Sequence, residues 1–109
     1  DFILPSLVQR GDLQIAVSTA GASPALAKKL RLELEERYGP AYAILAAILG
    51  ELRAGVTKRG GPAEDRGKVF ETLVNSDIVA AIERGDRDGV RRIIRDIAGL
   101  EFDADRFMK

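Results

Sequence analysis

Between residues 2 and 19 apolar and polar positions partly alternate, with Leu13, Ile15 and Val17 on one side, and Gly11-Asp12 interrupts the run where a tight reversal belongs. The pattern predicts a β-hairpin. Pro5 cannot donate to a ladder, so its strand is expected at an edge or bulged there. Two strands alone are marginal in water, so the hairpin needs a helix, another sheet or a second copy of the chain to cover it. From Ser23-Pro24 the period becomes helical: the serine hydroxyl can accept from an early amide, and proline at the first helical position loses no hydrogen bond. Leu26, Leu30 and Leu34 then share one face, and Gly39-Pro40 ends the segment.

A second helix is expected from about Ala41 to Arg53, apolar nearly all round, with Tyr42, Ile44, Leu45, Ile48 and Leu49 separated by Ala43, Ala46 and Ala47. Gly55 to Pro62 reads as a glycine-rich loop and as the hinge of the chain. A third helix follows from Glu64 to Val74, with Val69, Phe70, Leu73 and Val74 inward, and a short fourth from Asp77 to Arg84, closed by Gly85. Asp86 can cap a fifth that runs to Leu100 with Val90, Ile93, Ile94 and Ile97 as its buried stripe, and Phe102 and Phe107 are expected to dock after it. The fold class is therefore α+β and mostly helical, an N-terminal hairpin followed by about five helices.

With 109 residues the chain is long enough for one domain's core with little to spare. Its 17 basic and 17 acidic residues cancel, so no global field draws in nucleic acid or anionic lipid, and any anion binding has to be local. The absence of cysteine and histidine removes disulfides, thiol nucleophiles, the usual zinc ligands and the usual neutral-pH proton shuttle. The longest apolar run, Ala41 to Gly50, falls well short of the ~20 residues that span a bilayer, and no secretion signal opens the chain; a soluble, cytoplasmic protein is expected, without membrane or nucleic-acid partners.

Charge order singles out the first helix. A helix prefers carboxylates in its first turn and cations in its last, and the fifth complies, with Asp86 and Asp88 early and Arg91, Arg92 and Arg95 later. The first helix is reversed: Lys28, Lys29 and Arg31 precede Glu33, Glu35 and Glu36. Cations beside unsatisfied amides suit an anion arriving from outside. The hydroxyls of Ser18, Thr19 and Ser23, with Gly21 allowing close backbone approach, would complete a cradle; the plainer alternative is a capped helix whose cations face water. Rival sites are weaker. Gly55-Val56-Thr57-Lys58-Arg59-Gly60 opens like a phosphate loop but continues with Gly61 and follows no strand, so it reads as a linker. Asp103 and Asp105 lack neighbours that would push their proton affinities apart, Arg91, Arg92 and Arg95 read as a solvated helix face, and the alanine-rich second helix reads as core or interface rather than as a pocket wall.

Over Phe2 to Glu35 the chain carries Phe2, Ile3, Pro5, Gly11, Leu13, Ile15, Ala16, Ser18, Thr19, Gly21, Ser23, Pro24, Leu26, Ala27, Leu30 and Arg31 in order, followed further on by Leu73-Val74-Asn75-Ser76-Asp77. In these residues it resembles the siroheme synthase or precorrin-2 dehydrogenase family. Ser6 stands where that family usually has Ala, Ala20 where Gly is frequent, and Ala22 where Lys or Thr is frequent. The resemblance implies NAD-dependent oxidation of precorrin-2 to sirohydrochlorin in siroheme biosynthesis, joined in some members to iron insertion by a ferrochelatase activity. It also implies an interlocked homodimer, with residues 1–39 as a dimerisation segment and 40–109 as a helical domain. The family's NAD motif and catalytic aspartate lie upstream of the Phe-Ile-x-Pro segment; no Gly-x-Gly-x-x-Gly occurs here, and Asp1 is not assigned the catalytic role. The chain is thus expected to be the C-terminal, dimerisation and helical part of such an enzyme, inactive alone, with no catalytic, cofactor or metal residues of its own. Substrate-side contacts to precorrin-2 are expected from Ser18, Thr19, Gly21, Ser23, Lys28 and Arg31. A non-catalytic dimerisation or scaffold module is the alternative.

Overall fold

The computed structural model describes residues 4–109, so Asp1, Phe2 and Ile3, with the start of the expected hairpin, lie outside the described residues. The elements are β1 (Ser6–Arg10), β2 (Leu13–Val17), α1 (Pro24–Arg37), α2 (Ala41–Arg59), α3 (Ala63–Val74), α4 (Ile78–Glu83) and α5 (Arg87–Ala98), with a 3₁₀ turn at Ala104–Arg106. The chain divides into a compact unit that ends at Ala43 and a second, Ile44–Lys109. The expected hairpin followed by five helices is what forms.

In the first unit, β1 and β2 pair antiparallel from Ser6 opposite Val17 to Arg10 opposite Leu13. Gly11 makes the reversal in the left-handed region, at φ 59°, and a Cβ there would press on Ala43. Pro5 precedes β1 and interrupts no ladder. Helix α1 packs along the hairpin, mainly on β1, whose central Val8 is buried. The covering face of α1 differs from the expected one. Ala27 is buried and Leu30 and Leu34 are half-buried, whereas Leu26 remains 47% exposed, because the small Ala27 lets the helix sit close to the sheet and turns its neighbour outward.

In the second unit, α2 does not stop at Arg53, and Gly55 to Arg59 is helical rather than hinge or linker. A helical glycine costs about 1 kcal/mol relative to alanine. Burying Leu52 and Val56, which extend the stripe begun by Leu45 and Ile48, outweighs that at about 1.5–3 kcal/mol per side chain. The helix ends instead at Gly60 and Gly61, both at positive φ. Helices α3, α4 and α5 pack together around Leu73, Ile78, Val90 and Ile94, all fully buried, whereas Val74, expected inside, is 47% exposed. Asp86 caps α5 by accepting from the Gly89 N–H at 2.9 Å, and its carboxylate occupies the space a side chain at position 89 would need. That bond, opposed by burial and helped by Arg84 and Arg92, holds Asp86 below its ordinary carboxylate range. After the left-handed cap at Gly99, the tail docks as expected: Phe102 and Met108 are buried, and the Phe102 and Phe107 rings stack at 5.1 Å. Arg59 donates to the Ala98 carbonyl at 2.6 Å, and Arg106 pairs with Glu51 at 2.7 Å.

Candidate functional site

The turn between β2 and α1 is built almost wholly from its own hydroxyls. Ser18 Oγ accepts from the Ala20 N–H at 3.1 Å, and the Thr19 carbonyl accepts from the Ala22 N–H at 3.0 Å. That closes a turn whose central residues, Ala20 at φ 54° and Gly21 at φ 83°, are both left-handed, as type I′ geometry requires. Thr19 Oγ1 accepts from the Ser23 N–H at 3.0 Å and donates to the Ser23 carbonyl at 3.2 Å. Ser23 Oγ in turn accepts from the Leu26 N–H at 3.1 Å as the cap of α1. The three hydroxyls expected to face a ligand therefore first shape the loop. Among the described residues the Gly21 and Ala25 N–H groups have no protein acceptor.

Ser18, Thr19 and Gly21 come together with Leu4, Ser6, Val17, Pro24 and Ala27 around a cavity of about 140 Å³. Its lining mixes the apolar Leu4, Val17, Pro24 and Ala27 with the hydroxyls of Ser6, Ser18 and Thr19. Ser23, Lys28 and Arg31 do not line it. Helical spacing nevertheless puts Lys28 and Arg31 on the same side of α1 as Pro24 and Ala27, since residues three, four and seven apart share a face. The cations differ in what holds them. Lys29 pairs with Glu33 at 2.5 Å and Arg31 with Glu35 at 2.6 Å, while Lys28 is exposed and unpaired among the described residues. The four-residue pairing thus answers the reversed charge order within the helix itself.

A residue outside the sequence-based selection completes the arrangement. Arg10 donates from Nε to the Tyr38 carbonyl at 2.8 Å, from Nη2 to the Glu35 carbonyl at 3.0 Å and from Nη1 to the Gln9 carbonyl at 2.8 Å. It brings to the C-terminal end of α1 a cation from the hairpin, where helix carbonyls lack partners. No local signal reveals this, because the partners stand 25 and 28 positions away.

The second unit holds a larger open cleft of about 600 Å³, which includes Asn75, Ser76 and Asp77, with Arg84 and Arg92 set against Asp77, Asp86 and Asp96. Opposed charges there do not favour an anion. Asp105 is paired with Arg87 and Arg91, and Asp103 caps the 3₁₀ turn, so neither acts as an isolated acid or base. Among the described residues no cluster of His, Cys, Asp or Glu could hold a metal, and no helix is long and apolar enough to cross a membrane.

Residues 10–37 match the family model described as sirohaem biosynthesis protein central, and residues 41–97 match that of the sirohaem synthase dimerisation region, more than half of the chain. The chain belongs to the sirohaem synthase family. The description of dimerisation region falls on 41–97, within the stretch that reads from sequence as the helical domain. The siroheme synthase of Pseudoalteromonas translucida (strain TAC 125) is 36% identical over 85 residues, covering 78% of this chain and 18% of the relative. That of Thioalkalivibrio sulfidiphilus (strain HL-EbGR7) is 36% identical over 93 residues, covering 85% and 19%. The chain thus spans about a fifth of the length of these relatives. The solved structure of SirC, precorrin-2 dehydrogenase, superposes with a TM-score of 0.74 at 21% identity over 92% of this chain and 48% of that one, which establishes a common fold.

Proposed function

We propose that this chain forms the dimerisation and helical part of a precorrin-2 dehydrogenase, in which precorrin-2 is oxidised to sirohydrochlorin with NAD, with ferrochelatase activity as a further capability of the whole enzyme. The supporting observation is the Ser18–Ser23 turn, which borders a small cavity lined in part by the Ser6, Ser18 and Thr19 hydroxyls, beside a helix face carrying Lys28 and Arg31. Precorrin-2 bears many carboxylates, and those cations with the open Gly21 and Ala25 N–H groups offer what a carboxylate needs. At about 140 Å³ the cavity is below the roughly 300–1,000 Å³ of ordinary ligand pockets, so it receives one acidic arm while the macrocycle lies outside.

NAD supplies the hydride acceptor when bound, but the described residues do not fit it. Their sheet is a two-stranded antiparallel hairpin, and the sequence has no Gly-x-Gly-x-x-Gly motif of a parallel βαβ unit. This chain's share is to bind and orient the substrate. Pairing into an interlocked homodimer draws on the span matched to the dimerisation region and on the hairpin with α1, where Leu4, Leu7, Leu26 and Leu32 are exposed. A cytoplasmic setting belongs to the same reading.

The test is a spectroscopic titration of the chain with sirohydrochlorin, alongside sedimentation. The wild type should bind and sediment as a dimer, and Lys28→Gln with Arg31→Gln should weaken binding at least tenfold without altering sedimentation. Undiminished binding by the double variant would leave the scaffold reading, in which the hairpin and α2 serve pairing alone.

A further inference from the structure

We propose that Arg10 is a positioning residue for the candidate site, acting through Glu35 on Arg31. The inference rests on the reading of Arg31 as a substrate-side cation. Glu35 is held at both ends: its backbone carbonyl accepts from Arg10 Nη2 at 3.0 Å, and its carboxylate accepts from Arg31 Nη1 at 2.6 Å. The Arg31–Glu35 pair is only about one-third exposed, 27% and 35%, so it is screened less than the open Lys29–Glu33 pair beside it. One guanidinium nitrogen of Arg31 is thereby engaged while its other N–H donors remain for a ligand carboxylate.

The geometry of α1 gives this connection leverage. The helix is tied to the hairpin covalently at its N-terminal end by the Ser18–Ser23 turn, and at its far end by the Arg10 bonds to Glu35 and Tyr38. Arg37, the basic residue of its own last turn, lies over the Tyr38 ring at 5.2 Å. Together with the packing of α1 on β1, Arg10 therefore fixes the far end of the helix and so its tilt on the sheet. Arg31 stands seven residues beyond Pro24, about 10 Å along the axis at 1.5 Å per residue. A tilt of about 10° about the turn moves it by about 2 Å, several times the ~0.5 Å within which a binding constellation has to be held. Pro24 and Ala27, close to the turn, move far less.

The experiment compares Arg10→Gln, Arg31→Gln and the double variant in the 109-residue chain, reading sirohydrochlorin affinity by titration and amide exchange along α1. Arg10→Gln should weaken binding about tenfold and speed exchange in the last turn of α1. The double variant should bind no more weakly than Arg31→Gln alone, because a residue acting through another adds nothing once that other is gone. Arg10→Lys, which keeps the charge but not the three-way donor geometry, should fall between wild type and Arg10→Gln and serves if the latter unfolds. Wild-type affinity in Arg10→Gln, or losses that simply add in the double variant, would overturn the positioning role while leaving Arg31 as a contact. Wild-type affinity in Arg31→Gln would overturn both.

Discussion

The two units of this chain are held by different forces. In the second, Ile48, Leu73, Ile78, Val90 and Ile94 are at 0% exposure, and shape follows from apolar packing. In the first, the buried apolar side chains among the described residues are Val8, Ala27 and Ala41, and shape follows from directional bonds made by Ser18, Thr19, Ser23 and Arg10. Packing energy is large but indifferent to direction, so it builds a platform. Hydrogen bonds contribute about 1 kcal/mol each yet dictate position, so they suit a loop that must present N–H groups and cations in a set pattern.

The strongest way to break the contrast is a cavity in the second unit. Ile94→Ala should destabilise it by about 2–5 kcal/mol in urea unfolding followed by residue-resolved amide exchange. Removing the α1 cap by Ser23→Ala should cost only about 0.5–2 kcal/mol, with faster exchange confined to the turn and the first turn of the helix. If Ser23→Ala proved as damaging as Ile94→Ala, the distinction between platform and loop would fail.

Ala20→Gly should go the other way. Ala20 adopts φ 54°, a region that disfavours a Cβ by roughly 1 kcal/mol, so glycine should raise the urea midpoint slightly. Lys28→Gln together with Arg31→Gln should change stability by no more than about 0.5 kcal/mol, because one side chain is exposed and the other makes a single four-residue pair. The last expectation concerns pH. Asp86 is held below its ordinary value in the fold, so its charge contributes stability that is present above about pH 4 and lost as pH falls through its lowered folded value. Asp86→Asn should flatten that acid limb by lowering neutral stability to the level the wild type reaches in acid, while the cap itself is kept by the asparagine side chain.

Signals confined to a few neighbours were legible in the chain. Gly11-Asp12 turned the hairpin, Ser23-Pro24 opened α1 and Asp86 capped α5, because each acts on amides within four residues, whereas α5 stops at Ala98 with Gly99 left-handed and not at Leu100 as its pattern suggested. The candidate site was legible as a cluster of residue types but not in its internal roles. Ser18 and Thr19 were read as ligand donors and Ser23 as both donor and cap, and the fold engages all three in shaping the turn.

The sequence by itself determined element order, the serine and aspartate caps that open α1 and α5, and the reversed charges of α1, since periodicity and capping are short-range. Tertiary structure decided which apolar residues went inside, leaving Leu26 and Val74 exposed, and carried α2 past Gly55 by burying Leu52 and Val56. It also brought Arg10 to the end of α1, across 25 positions to Glu35 and 28 to Tyr38. The physical reason is common to all three. Burial and long-range hydrogen bonds depend on what the rest of the chain brings alongside, and a local pattern does not carry that information.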